Sequence, residues 1–386
     1  MTLKRARRSD VPPFRALSIL SEVNQRVAAG QSVMRLEAGQ PSVGAPEAAL
    51  DYGRERITRD PRQGYTEALG TGSLRAKIAE FYGTRYGLSV DPARVAVTVG
   101  SSGGFLLAFL SAFDVGDRVV MAAPGYPAYR NYLKALGLQA VEIETGPETN
   151  YQPTPERLDR AIAEGGRIDG LILCSPSNPC GTMISPQDLK ALCAWCEANE
   201  VRLISDEVYH GITYEDPAET VLRFTDGAIV LNSFSKYFAM TGWRLGWLVL
   251  PEDLCAPVKA LAENLFVSPP TLAQHVAWKI FDHTDVLDGY VATYRRNRDI
   301  LRAGLEDAGI GKFARPQGAF YIYADIGEGP LDSAAFCARL LDEAGVSVTP
   351  GLDFDIRRGR QTIRLCYAGP TADIEEAVRR LKAWAA

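Results

Sequence analysis

Histidine is scarce in this chain. Only His210, His275 and His283 occur among 386 residues, which leaves little material for a histidine-based catalytic triad or a zinc site. Long apolar runs are also lacking, since no segment approaches the roughly 18 apolar residues that a membrane-spanning helix requires. The basic first residues are followed by Ser-Asp-Val-Pro-Pro and not by an apolar segment. Neither a membrane span nor a secretory signal is therefore expected.

The sequence also lacks a strong charge of one sign and a regular cysteine framework. Its net charge of -5 does not favour nucleic acid or an anionic membrane as a partner, so a small molecule is the expected ligand. Seven cysteines are an odd number, which favours a reducing cytoplasm over paired disulfides. Cys193 and Cys196 have metal-motif spacing, but they lie in a capped amphipathic helix pattern that starts after Ser185, with no second pair. We predict no metal site.

What the sequence does contain is a regular alternation of strand and helix patterns from about residue 64 to 250. This alternation is typical of a mainly parallel sheet with helices on both faces, an α/β fold. The predicted strands are 95–99, 118–122, 140–143, 170–174, 202–205, 229–232 and 244–250. About ten residues separate the last two, too few for a right-handed parallel crossover. The seventh strand is therefore predicted to be antiparallel.

The carboxyl-terminal third has a different pattern. After a break at Pro269-Pro270, long helical patterns precede a mixed unit with strands at 319–324, 346–349 and 362–366 and a helix at 333–344. Residues 33–41 form a strand pattern that ends in a turn, and we expect them to pack with this unit. At this length two domains are expected. We predict a large domain over residues 46–280 and a smaller α+β domain formed by 1–45 and 281–386.

Lys236 ends an apolar strand and is preceded by Ser233 and Ser235. Burial or a neighbouring cation would lower its pKa, so that the neutral amine could form an imine with a carbonyl, while the serines and Arg244 could hold a phosphate. An isolated lysine of this kind is more often a strand-end residue whose ammonium reaches water. Together, these groups describe a seat for pyridoxal phosphate.

A second anion site is predicted where the strand at 95–99 meets a helix over 105–113. Ser101, Ser102 and Gly103 lie at this junction, where free backbone N–H groups and the helix dipole attract negative charge. The spacing of the glycines does not match a dinucleotide-binding fingerprint. Taken alone, a glycine-serine turn is more often structural.

Several polar or aromatic residues follow other predicted strands. Asp206 comes after 202–205, where open α/β sheets bind ligands, and its carboxylate could pair with a pyridine nitrogen, although a helix cap is the common alternative. Tyr209 could then reach the ring's 3-oxygen. Asn178 lies in a loop fixed by two prolines and a glycine, and Tyr126 could lie flat on a ring, although these positions also suit a plain turn and a core aromatic.

Arg364 lies in the alternating strand at 362–366. Its guanidinium is suited to bidentate capture of a substrate carboxylate, for which lysine would not be equivalent. Alone, it would be interpreted as a solvent-facing arginine.

These motifs, in this order, resemble the class I and II pyridoxal-phosphate aminotransferases of fold type I, from about Leu36 to Gly369. The resemblance rests on the Ser-x-Ser-Lys loop with its Met-Thr-Gly-Trp-Arg-x-Gly tail, on Ser-Pro-x-Asn-Pro-x-Gly, and on Asp206 with Tyr209. Cys180 departs from the family, where threonine is more common. The resemblance implies a ping-pong transfer of an amino group from an L-amino acid to a 2-oxo acid.

The resemblance also implies roles for individual residues. Lys236 would carry pyridoxal 5'-phosphate covalently and move a proton, Asp206 would pair with the ring nitrogen, and Tyr209 and Asn178 would bind the 3-oxygen. The other implied cofactor-binding residues are Ser101, Ser102, Gly103, Tyr126, Ser233 and Arg244. Arg364, helped by the backbone of Gly39, would bind the substrate carboxylate. Tyr65 would reach the phosphate of a neighbouring subunit, which implies a homodimer with shared sites.

The resemblance leaves alternatives open. A β-eliminating carbon-sulfur lyase would share the lysine, the aspartate and the arginine. A ligand-sensing regulator would need a DNA-binding module ahead of this fold, which the short amino-terminal stretch is not expected to hold. Some relatives that accept aspartate have a lysine near the position of Ser102, and the hydroxyl here weakens the case for a dicarboxylate substrate.

Overall fold

The computed structural model describes residues 3–13 and 15–385. Residues 1, 2, 14 and 386, which the predicted smaller domain includes, lie outside the described residues. The strands are β1 Met34–Arg35, β2 Val95–Thr98, β3 Arg118–Ala123, β4 Gln139–Glu144, β5 Gly170–Cys174, β6 Arg202–Asp206, β7 Ile229–Ser233, β8 Gly246–Val249, β9 Tyr321–Asp325, β10 Val346–Ser347, β11 Thr349–Pro350 and β12 Thr362–Cys366.

The α-helices cover nearly half of the remaining chain. They are α1 Arg15–Ala28, α2 Glu47–Arg59, α3 Gly72–Tyr86, α4 Gly100–Ala112, α5 Pro127–Leu136, α6 Pro155–Gly165, α7 Pro186–Ala198, α8 Glu252–Leu265, α9 Thr271–Ile280, α10 Thr284–Asp307, α11 Ser333–Ala344 and α12 Thr371–Ala385. Over residues 3–13 and 15–385, the helices are too short or too polar to serve as membrane spans.

The central sheet has, within the described residues, seven strands in the order β2-β8-β7-β6-β5-β3-β4. The strands β3 to β7 pair in parallel, whereas β8 is antiparallel to both β7 and β2. Strands β5, β6 and β7 are almost entirely buried, as their continuous apolar runs require in a sheet covered on both faces. The predicted mainly parallel sheet and its antiparallel seventh strand are confirmed.

Two predicted boundaries, the start of a strand and the start of a helix, shift for local reasons. Strand β8 begins at Gly246 and not at residue 244, because Arg244 has a positive φ of 53°, which a strand does not accommodate. Helix α4 begins at Gly100, five residues before the predicted start, so Ser101 and Ser102 lie in its first turn. Both shifts occur where the sequence pattern marks a ligand site.

The carboxyl-terminal segment forms a separate antiparallel sheet in the order β11-β12-β9, with Arg364 in its middle strand. The prediction of one strand at 346–349 was wrong. The chain changes partner at Val348, because β10 pairs in parallel with β1 whereas β11 pairs antiparallel with β12. Residues 34–35 thus pair with the carboxyl-terminal segment, as expected, while the division into domains stays a prediction.

The amphipathic helix around Cys193 and Cys196 is confirmed. Helix α7 is capped by Ser185, whose hydroxyl oxygen accepts the Asp188 N–H at 3.1 Å, and both cysteines are buried on its inner face. In the part of the chain that the structure describes, no group of three or more histidine, cysteine, aspartate or glutamate side chains is arranged to hold a metal ion.

Candidate active site

The predicted site residues converge on one cavity at the carboxyl edge of the central sheet. Its volume is about 210 Å³. A groove of about 1120 Å³ elsewhere, lined by Arg85, Glu148 and Asp288 among others, contains none of the predicted residues, so volume alone does not mark the site. The cavity wall brings together Gly39, Ser101, Ser102, Tyr126, Asn178, Asp206, Tyr209, Lys236, Arg244 and Arg364.

Lys236 lies in the loop that joins β7 to β8, and its side chain lines the cavity. Its Nζ donates a hydrogen bond to the backbone oxygen of Gly39 at 2.7 Å. Burial lowers the pKa of Lys236 to about 8. About a tenth of the amine is then neutral at pH 7, against far less than a hundredth for an ordinary lysine. A neutral amine is the form that attacks a carbonyl.

Asp206 is the last residue of β6 and is 3% exposed. Its carboxylate accepts the backbone N–H of Val208 at 3.2 Å and a hydrogen bond from the hydroxyl of Tyr129. Burial raises the pKa of Asp206 to about 6, although both hydrogen bonds favour the ionised form. At neutral pH the cavity therefore holds a buried carboxylate, which would favour a cationic ring nitrogen beside it.

Sequence reasoning did not identify Tyr129. Tyr126 stands just before α5, and Tyr129 lies one turn further on, with the two ring centroids 5.2 Å apart. The available signal was Pro127, which favours the start of a helix directly after a strand. Residues three apart near such a start lie on the same side, so Tyr129 could be expected beside Tyr126.

The first turn of α4 lies beside Arg244 at one end of the cavity. Gly100 has a φ of +66°, and a Cβ built there would lie 2.5 Å from Nη2 of Arg244. The Arg244 guanidinium also donates from Nη1 to the Thr241 oxygen at 3.0 Å. The absent Cβ leaves room for the guanidinium beside a helix N-terminus with two serine hydroxyls. Such a group of donors is suited to a phosphate.

Three predicted residues are not on the described cavity wall, namely Ser233, Gly103 and Tyr65. The Ser233 hydroxyl donates to the Leu245 oxygen at 3.4 Å and accepts the Ser235 N–H at 3.0 Å, so Ser233 shapes the loop and Ser235 reaches the cavity. A Cβ on Gly103 would meet Val99 and Phe266 at ordinary contact distance. Tyr65 is 87% exposed.

Arg364 is only 3% exposed and reaches the cavity from β12. Its guanidinium donates to Asn178 Oδ1 at 3.1 Å, to the Glu37 backbone oxygen at 2.7 Å and to Thr349 Oγ1 at 3.3 Å. These acceptors are neutral, and the buried Nε has no hydrogen-bond partner among the described residues. The charge is thus held in place without being neutralised, as the capture of a carboxylate requires.

Tyr321 was also not identified from the sequence. The hydroxyls of Tyr209 and Tyr321 lie 2.9 Å apart, and the Tyr321 ring stacks against the Arg364 guanidinium at 4.6 Å from the ring centroid. Tyr321 belongs to β9, which pairs with β12, so its approach to the site is set by sheet register and not by a local motif.

Comparisons with known proteins agree with this geometry. The sequence matches the family described as aminotransferase class I and II over residues 31–381. It is 46% identical to a valine–pyruvate aminotransferase of Mycobacterium tuberculosis, over 100% of this chain and 99% of that protein. It is 31% identical to a (5-formylfuran-3-yl)methyl phosphate transaminase of Methanocaldococcus jannaschii, over 96% of each chain.

Solved structures give the same result. A crystal structure of an aminotransferase from Mycobacterium tuberculosis matches with a TM-score of 0.95 at 46% identity, over 99% of each chain. Aspartate aminotransferase from Thermus thermophilus with maleate matches with a TM-score of 0.92 at 30% identity, over 99% of this chain and all of that one. The fold is therefore fold type I, and the alternative of a carbon-sulfur lyase is not favoured. This chain belongs to the class I and II aminotransferases and transfers the amino group of an amino acid to a 2-oxo acid.

Proposed function

We propose that this aminotransferase binds pyridoxal 5'-phosphate through Lys236 and uses it for ping-pong transfer from a small apolar amino acid. One observation carries the proposal: a single cavity joins an amine of lowered pKa, a buried carboxylate, an anion seat and an arginine whose hydrogen-bond acceptors among the described residues are all neutral. Members of the family are pyridoxal-phosphate enzymes.

The polar and aromatic side chains of the cavity fit each part of pyridoxal 5'-phosphate. The first turn of α4, with Ser101 and Ser102, would hold the phosphate together with Arg244 and Ser235. Asp206 would hold the proton on the ring nitrogen, and Tyr129 would keep Asp206 oriented. The other residues proposed to contact the ring are Tyr126, Asn178 and Tyr209. When bound, the cofactor supplies an electron-accepting ring that stabilises negative charge at the substrate Cα.

Lys236 would act as both anchor and proton carrier. Its pKa of about 8 leaves the released amine able to take a proton from the substrate Cα and to return it near neutral pH. The Gly39 carbonyl offers the amine a hydrogen-bond acceptor when it is not covalently attached. Arg364 would bind the α-carboxylate of each substrate in turn, so both halves of the reaction would use the same clamp.

The proposed substrate class rests on the cavity wall. Among the described wall residues, the basic groups are Lys236, Arg244 and Arg364, and each already has a role. A second substrate carboxylate would thus find no further cation on the described wall. The printed activity of the Mycobacterium tuberculosis relative, valine–pyruvate aminotransferase, supports a small apolar amino donor with pyruvate as one acceptor.

We further propose a homodimer in the cytoplasm. Tyr65 carries an aromatic ring that is 87% exposed, which suits a residue that completes the site of the other subunit. All seven cysteines are free, which suits a reducing compartment. The pairing of β1 with β10 supports a smaller domain composed of residues 1–45 and 281–386, beside a larger one over 46–280.

The visible spectrum of the purified protein, loaded with pyridoxal phosphate, tests this proposal. Single amino acids added without an oxo acid should bleach the bound-cofactor band and release a stoichiometric amount of 2-oxo acid, with valine more effective than aspartate. Catalytic ammonia release without any oxo acid would contradict transamination.

Lys236→Ala tests the anchor. Borohydride should no longer fix the cofactor to this variant, because no amine remains at that position. Lys279→Ala, which removes a lysine paired with Asp282 away from the cavity, is the matched control and should retain full labelling. Borohydride-stable cofactor on Lys236→Ala would rule out the assignment.

A further inference from the structure

Helix α1 forms an apolar part of the cavity wall. Ala16, Leu17 and Leu20 line the cavity, and their spacing places them on one face of the helix. Leu17 is 58% exposed, so this large apolar side chain lies beside the cavity and not in the hydrophobic core. It is therefore available to contact a ligand.

The position of α1 is fixed from a distant part of the chain. The Ala16 N–H, in the first turn of α1, donates to Oδ2 of Asp353 at 3.0 Å. Nε of Arg15 lies 3.8 Å from the other carboxylate oxygen. Asp353 is itself buried. Its carboxylate thus satisfies a free N–H at the positive end of the helix, as a capping side chain does.

The same aspartate is connected to the carboxylate-binding arginine. Asp353 ends a short helical turn, Gly351–Asp353, that directly follows β11. Strand β11 pairs with β12, where Thr349 lies opposite Arg364. One short segment therefore links the arginine proposed to bind the substrate carboxylate with the helix that carries the apolar wall.

The other end of α1 has a weaker attachment. Arg26 pairs with Asp342 of α11 at 2.7 Å, but the Asp342 carboxylate is 60% exposed. Exposed ion pairs of this kind contribute little to stability. The buried contact with Asp353 is thus the stronger constraint on where Leu17 and Leu20 lie.

We infer that Asp353 is a positioning residue for substrate selection, which holds α1 so that Leu17 and Leu20 meet the side chain of a small branched apolar amino acid bound at Arg364. This inference rests on the proposed function. Asp353 does not line the cavity, so its effect passes through α1.

The test compares valine with alanine as amino donor, with 2-oxobutanoate, a monocarboxylic 2-oxo acid, as the acceptor and the enzyme loaded with pyridoxal phosphate. Asp353→Ala should lower the ratio of kcat/KM for valine to that for alanine about tenfold, mainly through KM for valine. Asp353→Asn keeps an oxygen acceptor and should stay within about twofold of the wild type. Asp342→Ala, which cuts the exposed ion pair, is the matched control and should leave the ratio unchanged.

Two further measurements separate positioning from general damage. Leu20→Ala should lower the ratio as well, and the double variant Asp353→Ala/Leu20→Ala should show no further drop, because both changes remove the same contact. Amide hydrogen exchange over residues 15–28 should become faster in Asp353→Ala, without a change in the central sheet.

An equal loss of activity with both donors in Asp353→Ala, or an unchanged ratio, would overturn the inference. Should Asp353→Ala fail to fold, Asp353→Glu takes its place, since one added methylene moves the acceptor, and the same drop is expected. If wild-type enzyme transfers no amino group from any donor, the proposed function fails, which is a different outcome from transfer without a role for Asp353.

Discussion

The hydroxyl of Tyr129 should lower the pKa of Asp206 and so oppose the rise that burial causes. Phenylalanine at this position keeps the ring packing against Tyr126 and Phe105, whose centroids are each 5.2 Å away. It removes the hydroxyl, which donates to the carboxylate and also contacts the Cys174 thiol. A hydrogen bond to a charged group contributes about 1.5–3 kcal/mol, and one pKa unit corresponds to about 1.4 kcal/mol. The pKa of Asp206, about 6 in the wild type, should therefore rise by about 1–2 units in Tyr129→Phe.

The direction of the pH dependence follows from the negative charge on Asp206 that a protonated cofactor ring needs beside it. Only ionised Asp206 can hold a protonated ring nitrogen, so affinity for pyridoxal phosphate should fall as the pH drops through the pKa of Asp206. In Tyr129→Phe that fall should begin about 1–2 pH units higher than in the wild type. The assay is the dissociation constant of pyridoxal phosphate for the apoenzyme across neutral pH. Titration of the cofactor itself is common to both proteins and cancels in the comparison.

The control is Tyr82→Phe, which removes a fully buried hydroxyl that accepts from Trp247 Nε1 at 3.2 Å, away from the cavity. It should lower stability without moving the pH profile. An identical pH profile in Tyr129→Phe and wild type would refute the role given to Tyr129.

Three further changes test other parts of the structure. Burial raises the pKa of Glu207 from 4.5 to about 8, so the folded protein keeps a proton that the unfolded chain loses. The free energy of unfolding should therefore fall by up to about 5 kcal/mol as the pH rises from 4.5 to 8. Glu207→Gln should flatten the dependence of Tm on pH, and parallel Tm curves for the variant and the wild type would contradict this. Arg364→Lys should lower kcat/KM for the amino donor about 30- to 1000-fold, because a lysine cannot form the bidentate pair. The spectrum of the bound cofactor should stay unchanged, and a shifted spectrum would argue for a role of Arg364 in cofactor binding instead. Gly100→Ala should weaken cofactor binding at least about tenfold, since its Cβ would meet Arg244 at 2.5 Å. The control Gly30→Ala, also at positive φ but in open space, should bind the cofactor normally. Equal affinities of the two variants would show that the phosphate seat tolerates a side chain.

The parts of the site that local motifs encode were predictable. Asp206 ends a strand whose apolar pattern is readable, and Lys236 and Asn178 follow such strands. Parallel strands bring their carboxyl ends to one edge. The central sheet was predictable for the same reason, including antiparallel β8, because the loop before it is too short for a crossover. Sequence patterns encode such features over a few residues.

Apart from Tyr129, the cavity residues that were missed depend on contacts between distant segments. Tyr321 and the wall residue Leu17 come to the cavity through sheet register and through a helix held by Asp353, and neither has a local signature. The exchange of Ser233 for Ser235 as the cavity-facing serine has another cause. It depends on which way a loop turns after β7, and alternation along a strand does not predict the direction of a turn.

The order of these elements along the chain also bears on how the protein is made. Chains leave the ribosome from the amino terminus, and domains fold largely as they emerge. All strands of the central sheet, with the wall residues from Ser101 to Arg244, precede residue 250, whereas Arg364 follows β11 near the carboxyl terminus. Strand β1, made early, has its partner in β10 and must wait unpaired until that strand is synthesised. A nascent chain can therefore complete the edge of the sheet that we propose holds the cofactor before it has the arginine that we propose binds substrate, so loading with cofactor can precede the ability to bind an amino acid.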